Sequence, residues 1–89
     1  MIIVDKINDT TFKVTIKGKP ITTHVVTVSS SYYEKLTTGQ IPVVTLIEKS
    51  FEFLLQRESN TSILSRFDLP VIGHYFPEYE STIKKCLTS

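Results

Sequence analysis

Cysteine is almost absent from this chain. Cys86 stands alone among 89 residues, so no intramolecular disulfide can form, and the profile is not that of a small secreted domain stapled by several bridges. A reducing, cytoplasmic setting is the expectation. Glycine is equally scarce, and Gly18, Gly39 and Gly73 lie too far apart to build a glycine-rich phosphate loop. Charge of one sign is lacking too. Ten basic side chains against nine acidic ones leave a formal +1, so any attraction to a polyanion must come from a local patch. Long apolar runs are missing as well: the longest charge-free one, Ile41 to Ile47, contains Pro42 and Thr45. Met1-Ile2-Ile3-Val4-Asp5-Lys6 offers no basic leader ahead of an apolar stretch. Neither a secretion signal nor a membrane span is expected.

What is present is the composition of an ordinary globular protein, 40% hydrophobic and 21% charged, with nine aromatics from five Phe and four Tyr. A chain this short buries only about 60–65% of the surface its unfolded form exposes, which points to one domain over residues 1–89. Two parts are expected within it, a sheet over residues 1–28 and a helical part over 29–89.

The first third alternates with period two, the pattern of a sheet with one covered face. Ile2 and Val4 open it. Phe12, Val14 and Ile16 follow, with Lys13, Thr15 and Lys17 on the opposite side, and Thr22 to Val28 makes a third run. Asn8-Asp9 and Lys17-Gly18-Lys19-Pro20 supply turn chemistry between them, predicting a three-stranded antiparallel meander. Strand three is ambiguous, because Val25 lies on the Thr23 and Thr27 face while Val26 and Val28 lie with His24.

After Val28 the pattern becomes helical. Ser31 with Glu34 fits a capping box for a very short helix that Thr37-Thr38-Gly39 stops. Pro42 suits a first helical position, and the next proline or glycine is Pro70, which predicts one long helix from about Pro42 to Arg57. Around Ile47, residues Val43, Val44, Phe51, Leu54 and Leu55 cluster, and Leu46 and Phe53 extend the arc. The apolar face spans roughly 200°, twice the roughly 100° stripe that suffices for a helix lying on a sheet. Something further must cover it. Three short carboxy-terminal helices are expected: one capped by Asn60 or Thr61 through Ile63, Leu64 and Phe67, one capped by Asp68 with Pro70, and one from Pro77 carrying Tyr79, Ile83 and Leu87. The fold class is therefore α+β.

Catalytic and metal chemistry finds little to stand on. His74 and Glu78 are four apart and Cys86 is near, but Pro77 breaks the shared face, and no second ligand pair of closed-site spacing exists. No G-x-S-x-G elbow accompanies the serines. The twelve threonines and nine serines are explained by strand propensity and helix capping. Cys86, on the face following Ile83, reads as a small buried hydrophobe. No enzyme activity, cofactor or metal is expected; a small enzyme or metal protein around His74, Glu78 and Cys86 is the third alternative.

The order strand, short helix, longer helix over residues 22–58 resembles the ribbon-helix-helix fold of small dimeric repressors. That resemblance implies a paired ribbon in the DNA major groove, reading through either Thr23, Val25 and Thr27 or His24, Val26 and Val28. Neither set contains the Arg, Lys, Asn or Gln that reads base edges well. Lys13, Lys17 and Lys19 would add phosphate contacts; their plain explanation is a solvated sheet face that discourages edge pairing. A second likeness runs from Leu46-Ile47-Glu48-Lys49-Ser50-Phe51 through Phe67-Asp68-Leu69-Pro70 to Phe76-Pro77-Glu78-Tyr79-Glu80. Over residues 46–80 the chain is similar to short prokaryotic conserved proteins of uncharacterised function, which implies a bacterial-type cytoplasmic protein and transfers no site residue.

The leading expectation is a non-enzymatic interaction module that self-associates as a homodimer, with Leu46, Phe53, Tyr75 and Phe76 as its contacts. A DNA-binding regulator using Lys13, Lys17, Lys19, Thr23 and Thr27 is the alternative.

Overall fold

The computed structural model describes residues 1–88, and side chains through Leu87. The period-two segment forms β1 (Ile2–Lys6), β2 (Thr11–Ile16) and β3 (Thr22–Thr27), joined antiparallel with Val4 opposite Val14 and Val14 opposite His24. The first turn is closed by Asn8, whose Oδ1 accepts from the N–H groups of Thr10 and Thr11 at 3.0 and 2.9 Å. Phe12, Val14 and Ile16 are buried, as the alternation requires. On β3 the buried side is that of His24 and Val26, continued by Val28, while Val25 remains partly exposed on the other face.

The α1 helix (Ser30–Thr37) starts two residues earlier than a Ser31 cap would place it. Ser29 is the cap, and its Oγ accepts from the Tyr32 N–H at 3.2 Å. Thr38 (φ 57°) and Gly39 (φ 79°) then turn the chain left-handed and end the helix. The α2 helix (Val43–Leu55) is shorter at both ends than the expected Pro42 to Arg57. Pro42 caps it with ψ 141° instead of joining its first turn.

The largest departure lies between residues 60 and 69, where a helix through Ile63, Leu64 and Phe67 was expected. A single 3-10 turn, Asn60–Ser62, is followed by a fourth strand, β4 (Arg66–Asp68), which pairs parallel with β3 and gives the order β1-β2-β3-β4. Its cause is tertiary. Val25 donates to the Ser65 carbonyl at 2.8 Å, Leu69 donates to the Thr27 carbonyl at 2.9 Å, and the Thr27 hydroxyl bonds the Asp68 carboxylate. Asp68 therefore serves the strand pair and caps no helix. The chain then forms α3 (Val71–Tyr75) and α4 (Tyr79–Thr88). Phe76, with φ −131° and ψ 90°, makes the break that a following proline imposes.

The helices lie against the face carrying Phe12, Val14, Ile16, His24 and Val26, and one apolar cluster joins that face to α1, α2, α3 and α4. The wide apolar arc of α2 is covered within the molecule. The Phe53 ring stands 5.3 Å from Tyr79 and 5.9 Å from Phe76, and Tyr79 and Ile83 fill the flank that the sheet leaves open. Burying each such side chain contributes about 1.5–3 kcal/mol, which explains why the tail folds back rather than leaving α2 bare. The opposite sheet face carries Ile3, Asp5, Lys13, Thr15, Thr23, Val25, Thr27, Arg66 and Asp68, and among the described residues no helix lies over it.

Candidate functional site

Four side chains were expected at a contact surface, and the structure divides them. Leu46 is 0% exposed and Phe53 4%, so both belong to the interior. Phe53 is further closed over by Arg57, whose guanidinium carbon lies 3.6 Å from the ring centroid and whose Nε reaches Glu78 at 3.2 Å. These covers come from outside the apolar stretch of α2, from Phe76, Tyr79 and Arg57. Tyr75, by contrast, is 67% exposed, and Phe76 is partly exposed beside it.

Tyr75 and Phe76 border an apolar groove of about 420 Å³ between the end of α2, the 60–67 segment and α3. Leu54, Ile63, Phe67 and Ile72 form its buried floor, Val71 its wall, and Leu64 joins Tyr75 at the rim with 47% exposure. Glu58 is the sole charged side chain on its lining. The rim is held from below. His24 lies under it with Nδ1 2.8 Å from the Leu64 carbonyl and Nε2 2.9 Å from the Thr22 hydroxyl. The Leu64 carbonyl can only accept, so Nδ1 donates to it, and the Thr22 hydroxyl pairs with Nε2. Asn60 ties the same segment to the second hairpin, donating to the Pro20 carbonyl at 2.7 Å. This volume and lining suit an apolar side chain or a small apolar ligand, and the serine on the lining, Ser62, has its hydroxyl 3.2 Å from that of Ser59.

Among the described residues every buried side-chain polar atom has a partner. On α1, the Tyr32 hydroxyl donates to Glu80 at 2.9 Å, and Lys35 reaches the same carboxylate at 3.2 Å, docking α4 onto α1. That hydroxyl holds the Glu80 carboxylate below its ordinary pKa, while burial pushes the Tyr32 phenol well up. Glu78 is held low first by its own backbone N–H and then by Arg57. His74 is exposed, Glu78 faces Arg57, and Cys86 is exposed rather than buried. Among the described residues no group of three or more His, Cys, Asp or Glu side chains is placed to hold a metal.

The side chains considered for nucleic acid are largely brought together. Lys13, Thr23 and Thr27 share the open sheet face, joined there by Arg66, and Lys17 and Lys19 are exposed at its end. The ribbon-helix-helix arrangement itself is not available to this strand. β3 is hydrogen-bonded on one side to β2 and on the other to β4, so it has no free edge for a second copy's ribbon. Sequence reasoning missed the groove because it missed β4. The only local signal was the alternation of Arg66, Phe67, Asp68 and Leu69, too short to separate from a helix turn. Among the described residues no helix is long and apolar enough to cross a membrane. No family model, no curated protein and no solved structure matches the chain.

Proposed function

We propose that this protein is a non-enzymatic, cytoplasmic interaction module that self-associates, with the aromatic groove beside α3 as its contact surface. The observation that carries the proposal is the pairing of an apolar groove with two exposed apolar side chains, Tyr75 and Leu64, on its own rim. In a two-fold pair each copy presents both an anchor and a receptacle, because an isologous interface uses the same patch twice. Tyr75 brings large contact area at small entropic cost and is the residue type that dominates such interfaces. The contacts are thus Tyr75, Phe76 and Leu64. Sedimentation equilibrium across micromolar concentrations tests this. Tyr75→Ser weakens association while leaving the unfolding midpoint of the dilute monomer in place; unchanged association in that variant refutes the groove as contact surface.

A second reading rests on the sheet's uncovered face, where Lys13, Arg66, Thr23 and Thr27 are gathered with Lys17 and Lys19 nearby, against Asp5 and Asp68 on the same face. It makes the protein a DNA-binding regulator that contacts phosphates through this face instead of through an intermolecular ribbon. Binding would weaken steeply with added salt as counterions are released. Titration of a labelled duplex at low ionic strength decides it, and no association there removes the reading.

A further inference from the structure

The sheet ends on one side at β4, three residues long and followed by Pro70, and on the other at β1, which is longer and has an uninterrupted register. Short edges, prolines and bulges are the usual means of blunting a sheet edge. β1 has no proline, bulge or shortening, and the one charge on its helix side, Lys6, is the group that the pairing below uses. Which of its main-chain groups face outward is fixed by the bonds to β2. Lys17 donates to the Met1 carbonyl and Ile7 to the Thr11 carbonyl, each at 2.9 Å. Antiparallel alternation then turns the N–H and C=O of Ile3 and Asp5 toward β2, and those of Ile2, Val4 and Lys6 toward the free edge.

We propose that this edge pairs antiparallel with β1 of a second copy, with Val4 on the two-fold axis, extending one sheet across both molecules. The register follows from charge. Ile2, Val4 and Lys6 share the helix side of the sheet, and Ile2 lies in a hollow lined by Glu48 and Glu52 of α2. Centring on Val4 sets Lys6 of each copy opposite Ile2 of the other, which brings its ammonium to those two carboxylates. Lys6 is loosely held in the single chain, 3.5 Å from an Asp9 side chain that is 99% exposed, and Lys49 lies 3.5 Å from Glu52, leaving Glu48 for the incoming charge. Centring on Asp5 would oppose like charges, and centring on Ile3 would carry Lys6 past the start of the partner strand. Each facing pair with outward groups exchanges two main-chain hydrogen bonds, and the half-buried Val4 side chains meet across the axis.

This surface is separate from the groove, so the two together let association run beyond a dimer. Val4→Pro is the direct test, because it deletes an outward N–H and none that β2 uses. Circular dichroism checks that the variant is folded, and Lys6→Glu serves as an independent variant, weakening the seam by about tenfold or more. Adding Glu48→Lys and Glu52→Lys to Lys6→Glu restores it. Expected by sedimentation are a dimer for Val4→Pro, a dimer for Tyr75→Ser, and a monomer for the two combined. If Tyr75→Ser alone is monomeric, or if folded Val4→Pro and Lys6→Glu associate like the parent, the strand pairing is overturned. If Val4→Pro alone is monomeric, the strand pairing stands and the groove reading fails; a parent that stays monomeric at every concentration overturns both.

Discussion

Ser50 and Tyr79 meet inside the protein with their hydroxyl oxygens 2.6 Å apart, and the direction of that bond is determined by a third group. The Ser50 hydroxyl donates to the Leu46 carbonyl at 2.7 Å, one turn back in α2, so Tyr79 must donate to Ser50. Both residues are fully buried. The bond fixes the depth at which α4 sits on α2.

An asymmetry follows for the two deletions. Ser50→Ala leaves the Tyr79 hydroxyl buried without an acceptor and costs about 1–3 kcal/mol. Tyr79→Phe removes the donor and leaves Ser50 bonded to Leu46, at about 0.5–1.5 kcal/mol. Urea titrations of the two variants check the order, and an equal or greater loss from Tyr79→Phe contradicts the assigned direction.

Phe53 and Tyr75 separate core from surface. Phe53→Ala, which empties the space between Phe76, Tyr79 and the Arg57 guanidinium, costs about 3–5 kcal/mol. Tyr75→Ala, at a position 67% exposed, stays within about 0.5 kcal/mol. Thermal melts at one dilute concentration compare them.

The contact between α1 and α4 responds to acid. The Tyr32 hydroxyl and then Lys35 keep Glu80 ionised below the ordinary glutamate value of 4.5, so the folded state binds this proton less readily than the unfolded chain. Its contribution is complete above that ordinary value and is lost as pH falls through the depressed folded one. Glu80→Gln therefore flattens the acid limb of a stability profile. At the other extreme, burial raises Tyr32 and Tyr79 above the usual phenol value of 10.0, so their contribution holds below that value and is lost as pH rises through the raised folded values. Denaturation midpoints measured across pH read out both limbs.

Thr38 is a β-branched residue in the left-handed region at φ 57°. Its backbone N–H still bonds the Glu34 carbonyl at 2.9 Å, so the conformation is needed to close α1. Thr38→Gly relieves the strain and raises stability by about 0.5–1 kcal/mol, the intrinsic cost of a side chain there exceeding the entropy that glycine adds to the unfolded chain. An unchanged or lower denaturation midpoint counts against this account.

What could be read locally was read well where the cause is local. The alternation about Phe12, Val14 and Ile16 specifies a half-covered strand whatever it packs against, and Asn8, Thr38-Gly39 and Phe76-Pro77 set turns and breaks through their own backbone chemistry. The Ser29 cap was missed by a small shift because three consecutive serines offer the same oxygen. β4 was missed for a different reason. Three residues carry no decisive period, and Arg66–Asp68 becomes a strand only because β3 presents a free edge 41 positions earlier, as the Thr27–Asp68 pair shows.

The amino-acid order alone determined the α+β class, the meander and the long amphipathic helix, since each depends on neighbours a few positions apart. Tertiary structure alone decided that Leu46 and Phe53 lie inside, that Tyr75 and Leu64 border a groove, and that β3 is interior while β1 is an edge. The reason is that a side chain's exposure is set by what returns to cover it, and α4, Arg57 and the 60–69 segment arrive from far along the chain.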